Sequence, residues 1–165
     1  MVSKKRTNMI QKLTKKQYNI LVTLELFSEE YSRSYGCITI DSKTYKFSWQ
    51  STLIDPQIEF FKPNIVGIAI DQHFCLLNSK NGEFKTFRLF TPFLFMKTFE
   101  KELFIVCETE IMLLNPFLLE QDREYSFDEI IKDITVRDQF LTVFFIDDSE
   151  TRINLNDENS IYITH

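Results

Sequence analysis

The residues from Val66 to Asn78 return, altered, thirty-seven positions later as Leu103 to Asn115. Ile68/Ile105, Leu76/Leu113, Leu77/Leu114 and Asn78/Asn115 are identical. Val66/Leu103, Ala69/Val106, Asp71/Glu108, Phe74/Ile111 and Cys75/Met112 keep their chemistry. A looser third copy runs from Leu141 to Asn156 around a longer acidic turn. Each copy is an apolar run, a short polar turn and a second apolar run, the pattern of a β-hairpin. A hairpin cannot bury its apolar faces alone, so repetition at this period implies units that stack on one another.

The remainder of the chain extends the pattern. Cys37–Ile40 and Thr44–Trp49 flank a turn at Asp41-Ser42-Lys43, and strand alternation puts Tyr45, Phe47 and Trp49 on one face, read as core. Asp55-Pro56 and Lys62-Pro63-Asn64 punctuate an expected connector containing Ile58-Glu59-Phe60-Phe61. Strands are expected over Glu83–Phe90, Pro92–Phe99, Ile130–Val136, Phe140–Ile146 and Thr151–Leu155, with a last short one at Ile161–Ile163. Ser126–Glu129 reads as a cap for one helical turn.

Tyr18 to Phe27 carries two overlapping patterns. Thr14-Lys15-Lys16-Gln17 has the form of a capping box, with Ile20, Leu24, Phe27 and Tyr31 at helical spacing. Ile20, Val22, Leu24 and Leu26 also alternate as a strand would. Lys15 and Lys16 at the start and Glu29 and Glu30 at the end oppose a helix dipole, so the strand is favoured. The helix would resemble the first helix of a winged-helix DNA reader, although no recognition helix follows it.

The expected fold is therefore all-β: repeated antiparallel hairpins or meanders of about 37–40 residues, over about 63–90, 92–125 and 130–156. They belong to one β-rich domain, 17–165, preceded by a basic arm or short helix at 1–16. Over roughly Pro63 to Asn156 the meanders resemble propeller blades, which implies a partial propeller, a stack of sheets or a sandwich. Neither a Trp-Asp pair nor a Gly-His pair, the usual blade signatures, is present.

Composition narrows the chemistry. Three glycines, Gly36, Gly67 and Gly82, stand far apart, which excludes a glycine-rich phosphate cradle and leaves tight turns to Asn, Asp, Ser and Lys. Cys37, Cys75 and Cys107 have no motif spacing and read as buried thiols. His73, placed in a hairpin turn, and His165, the last residue, are tied to no nucleophile by spacing. No catalytic constellation, cofactor or metal is expected. Asp147, Asp148, Glu150, Asp157 and Glu158 lack calcium-loop spacing and its sharp-turn glycine. No apolar run approaches a membrane span, and a soluble cytoplasmic protein is expected.

Charge is unevenly shared. Residues 1–99 hold 14 Lys/Arg and 8 Asp/Glu, whereas 100–165 hold 5 and 16, so the net −5 is +6 followed by −11. Such asymmetry steers charged partners. A small acidic chain without catalytic groups resembles, in size, charge and composition, the immunity proteins that neutralise bacterial toxins, often nucleases. That resemblance implies a non-enzymatic inhibitor of a basic protein, with Glu120, Asp122, Glu124, Asp147, Asp148 and Glu150 as contacts. The alternatives are nucleic-acid binding through Lys4, Lys5, Arg6, Lys12, Lys15 and Lys16, or a structural repeat that self-associates.

Overall fold

The computed structural model describes residues 10–62, 64–116, 118–157 and 161–164. They form two compact units, one running to Arg88 and the other from Leu89. Each contains two four-stranded sheets.

In the first unit the elements are β1 (Gln11–Leu13), α1 (Lys15–Ile20), β2 (Leu24–Phe27), β3 (Ser34–Ile40), β4 (Lys43–Trp49), β5 (Gln57–Lys62), β6 (Ile65–Ile70), β7 (His73–Asn78) and β8 (Phe84–Arg88). Strands β5 to β8 form an antiparallel meander. The other sheet has the order β1-β3-β4-β2, with β2 parallel to β4. Ile38, Tyr45, Phe47 and Trp49 pack with Val66, Ile68 and Leu77 in a shared core, where the Phe47 and Trp49 ring centroids are 5.8 Å apart. The face expected from alternation along β4 is that core face. The turn joining β3 to β4 uses Asp41 and Ser42 with φ of 49° and 67°, the type I′ geometry that matches strand twist, here without glycine.

The second unit contains β9 (Phe93–Phe99), β10 (Glu102–Cys107), β11 (Glu110–Asn115), β12 (Glu120–Ser126), β13 (Ile131–Arg137), β14 (Phe140–Phe145), β15 (Glu150–Asn154) and β16 (Ile161–Thr164). Both of its sheets are four-stranded antiparallel meanders. Phe104, Val106, Ile111 and Leu113 from one pack against Ile134, Leu141, Val143 and Ile153 from the other. The two clearest repeats keep one register: Val66 pairs with Leu77 as Leu103 pairs with Leu114.

A carboxylate at the central hairpin of each of the two clearest repeats fastens the chain entering its sheet. Asp71 Oδ2 accepts from the Gln50 and Ser51 amides at 2.9 and 3.0 Å. Glu110, 3% exposed, accepts from the Phe90 and Thr91 amides at 2.8 and 3.3 Å. These bonds satisfy connector amides that would otherwise be lost at the sheet margin.

Four expectations are corrected. The stretch favoured as a strand from Tyr18 begins instead with α1. Thr14 Oγ1 accepts from the Gln17 amide at 3.2 Å and Gln17 Oε1 accepts from the Thr14 amide at 2.8 Å, a complete capping box. Lys46 Nζ then donates to the Tyr18 and Leu21 carbonyls, so a cation from β4 finishes the helix. The strand starts only at Leu24. From Ile10 onward the expected basic arm is built into the fold, because Gly36 lets β1 approach β3: a Cβ there would stand 2.9 Å from Ile10 Cγ2. The expected connector around Ile58 is strand β5, held by the β6 ladder. Ser126 ends β12 rather than capping a helix, since the Phe127 amide donates to the Thr109 carbonyl and its ring packs 5.4 Å from Phe145. The meanders accordingly run 57–88, 93–126 and 131–164, and a fourth sheet precedes them.

Candidate partner-binding surfaces

The acidic positions fall on two surfaces of the second unit. Glu120, Asp122 and Glu124 lie on β12, the edge of its sheet, and all three are exposed. Register shifts there: Leu113 pairs with Arg123 and Leu114 with Gln121, which leaves Asp122 as the extra residue of a bulge. A bulge bends the strand and breaks its alternation. Glu120, Gln121 and Asp122 are therefore all exposed in succession, while Arg123 and Tyr125 turn partly inward. The Arg123 guanidinium donates to the Leu155 carbonyl and lies 3.6 Å from Asp122. Gln121 donates to Glu124 at 3.0 Å.

Asp147, Asp148 and Glu150 surround the turn between β14 and β15. Asp147 accepts from the Ser149 hydroxyl at 2.6 Å and its amide at 3.0 Å, bonds that hold the carboxyl below its usual range. Asp148, with φ of 67°, pairs with Lys132 at 2.9 Å. The six acids are thus distributed over an edge strand and a hairpin tip on different sheets. Ordinary physics explains both places. Edge strands carry charge that discourages strand addition, and Asp accepts local turn bonds.

The basic residues have separate roles. Lys12 pairs with Asp55 at 2.7 Å, and Lys15 and Lys16 are exposed in the first turn of α1. Lys4, Lys5 and Arg6 lie outside the described residues.

His73 is not a turn residue. It opens β7, is 7% exposed, and stacks on Phe27 with centroids 5.2 Å apart. Its Nδ1 stands 3.0 Å from Glu29 Oε1. Burial pushes its pKa below the usual histidine value, against the opposing pull of Glu29. Arg88 and Asp71 supply further nearby charge, and the pair is a buried polar contact. The sequence signal, its place beside the repeat's turn, reads as a turn position, whereas its burial comes from Phe27 and Glu29, distant in sequence.

A groove of about 850 Å³ runs along the hairpin ends of the second unit, past Phe99, Glu102, Arg123, Val136, Arg137 and Asn156. Its acids (Glu100, Glu102, Asp138) are matched by its bases (Lys101, Arg123, Arg137), so it lacks the polarity of an acidic capture face. Among the described residues no group of three His, Cys, Asp or Glu is arranged to hold a metal ion. No helix among them is long and apolar enough to cross a membrane.

Comparison with solved structures gives the fold a context. The chain is similar to apo AztD from Citrobacter koseri, with TM-score 0.51 and 9% identity over 86% of this chain and 45% of that one. It is also similar to a chain of the mitotic checkpoint complex, with TM-score 0.50 and 10% identity over 63% and 35%. The fold is all-β, of repeated small sheets, and its structural neighbours are WD40/propeller-type proteins. The chain spans less than half the length of either neighbour. No family model matches it, and no curated protein is similar to it in sequence.

Proposed function

We propose that this chain is a non-enzymatic protein-binding module whose acidic C-terminal third captures a basic partner. The observation that carries the reading is the edge strand β12, along which Glu120, Asp122 and Glu124 are all exposed. Carboxylates on a rigid sheet edge accelerate encounter with a cationic surface and are screened over about 10 Å at 0.1 M salt. The acidic tip at Asp147 and Asp148 extends the same field. The propeller-type likeness supports a scaffold role, since sheets of this kind present edges and loops on a fixed frame. In its sharper form the partner is a basic toxin such as a nuclease, with the carboxylates standing where nucleic-acid phosphates would lie. The protein then acts by occlusion.

The test is binding and inhibition with a candidate basic nuclease, comparing wild type with Glu120→Lys/Asp122→Lys/Glu124→Lys. Association should slow by about 10- to 100-fold in the variant, with a weaker salt dependence. Equal association rates for the two proteins at low salt would overturn the reading.

A further inference from the structure

One face of the β13-β14-β15-β16 sheet packs into the core through Ile134, Leu141, Val143 and Ile153. Because side chains alternate along a strand, the opposite face is set by their neighbours. Registers place these neighbours in three cross-strand rows. Asp133, Phe144 and Glu150 form the first, Thr135, Thr142 and Arg152 the second, and Arg137, Phe140 and Asn154 the third. The first and third rows are separated by about 13 Å along the strands.

This face is polarised. Its first row carries a carboxylate on either side of Phe144. Its other end carries Arg137 beside Phe140, and Arg152 leans over the Phe140 ring at 4.2 Å. Asp133, Arg137, Glu150 and Arg152 are exposed, and Phe140 and Phe144 keep part of their surface in solvent. Asp133 is also bonded by Lys97 from β9, which fixes its carboxylate at this end.

We infer that this face binds a second copy of the same chain, across a two-fold axis running along the Thr135-Thr142-Arg152 row. That axis reverses the strand direction, so the first row of each copy meets the third row of the other. Phe144 then packs on the partner's Phe140. Arg152, already tilted toward the third row, reaches the partner's Glu150, and Asp133 lies opposite the partner's Arg137. The two central arginines lean in opposite directions and so avoid one another. A two-fold contact requires self-complementarity of this kind, and a face with charge of only one sign would not provide it. The alternation also distinguishes it from the β12 edge, whose carboxylates would repel a second copy.

Three strands span about 10 Å across, so the interface is smaller than the standard ~800 Å² per partner and the dimer is weak. Sedimentation equilibrium of the intact chain is the measurement. The expected result is a monomer–dimer equilibrium with a midpoint on the order of 10–100 μM, against which each kilocalorie counts visibly. Arg152→Glu and Glu150→Arg should each weaken it about tenfold, and the double exchange should restore it, because the pair is re-formed across the axis with its signs swapped. Circular dichroism of dilute samples checks that each variant is folded. A chain that stays monomeric to about 500 μM overturns the inference, as does a dimer indifferent to both single exchanges. A dimer that the double exchange fails to restore overturns it too, since its contacts then lie elsewhere.

Discussion

His73 Nδ1 stands 3.0 Å from Glu29 Oε1, and each side chain is 9% exposed. The contact ties the loop after β2 to the start of β7, with the imidazole stacked on Phe27. Burial is the larger influence on the ring and lowers its pKa, so the native state resists a proton that the unfolded chain accepts near pH 6.5. The sign follows from linkage. Stability is fully present above about pH 6.5 and is lost as pH falls below it, with a slope of at most ~1.4 kcal/mol per pH unit for one proton. Urea unfolding between pH 8 and 5.5 should show this decline, and His73→Gln should flatten it over that window. Parallel curves for the two proteins would count against the buried pair as the cause.

The helix α1 depends on its first turn. Lys15 and Lys16 sit where the macrodipole disfavours cations, so the reciprocal Thr14–Gln17 bonds supply what the dipole withholds. Tyr18, buried on that helix, has its ring 5.2 Å from that of Tyr35 at a tilt of 54° and donates to Glu25 at 2.6 Å. Thr14→Ala should cost about 1 kcal/mol, while Thr14→Ser should be nearly neutral. Amide exchange at Gln17 and Tyr18 is the local readout. Unchanged protection in the alanine variant would show that Lys46, at the other end, holds the helix alone.

The part of the fold that was legible in sequence is the part fixed by period-two alternation. Tyr45, Phe47 and Trp49 lie at 0–1% exposure, and the Val66 and Leu103 hairpins share one register. What was missed depended on partners distant in sequence. Ile58 to Phe61 resembled a connector because its strand character comes from the β6 ladder. The helix lost to the strand pattern because Lys46, which caps its carbonyls, lies 25 residues beyond Leu21. The exposed acids of β12 were visible as charge, yet the bulge that exposes Glu120, Gln121 and Asp122 in succession appears only when Asp122 is left without a counterpart on β11. His73 was judged by its turn, and the burial comes from Phe27 on another sheet and from Glu29 in the loop that follows it.

All three cysteines are buried, and burial raises each thiol, Cys75 to about 12. The thiolate is the reactive form, so at pH 8 native thiols should resist a disulfide reagent. Labelling should be slow until denaturant exposes them, then proceed to three per chain. Cys37, on the sheet face beneath α1 and near Gln11 at 3.7 Å, should be the first to react when Thr14→Ala loosens the helix. Rapid native labelling of Cys75 would contradict its place in the core.

Gly67 occupies the middle of β6 for a steric reason. A Cβ there would stand 2.7 Å from Phe61 Cε2 and 3.1 Å from Phe74 Cε2. The Phe61 ring therefore lies over the backbone of its neighbouring strand, and any side chain at position 67 must displace it. Gly67→Ala should destabilise the unit by about 1–3 kcal/mol through overpacking. Phe61→Leu removes the obstructing edge, so the Gly67→Ala/Phe61→Leu double variant should be more stable than the sum of the single losses predicts. Gly82 is a control with the opposite cause. Its φ is +80° and the nearest atom to an added Cβ is 3.7 Å away, so Gly82→Ala is penalised by backbone strain alone and no neighbouring truncation should relieve it. Denaturant midpoints across wild type and these four variants decide between the two mechanisms. Additive losses at positions 61 and 67 would mean that the ring moves aside freely and that space does not select glycine there.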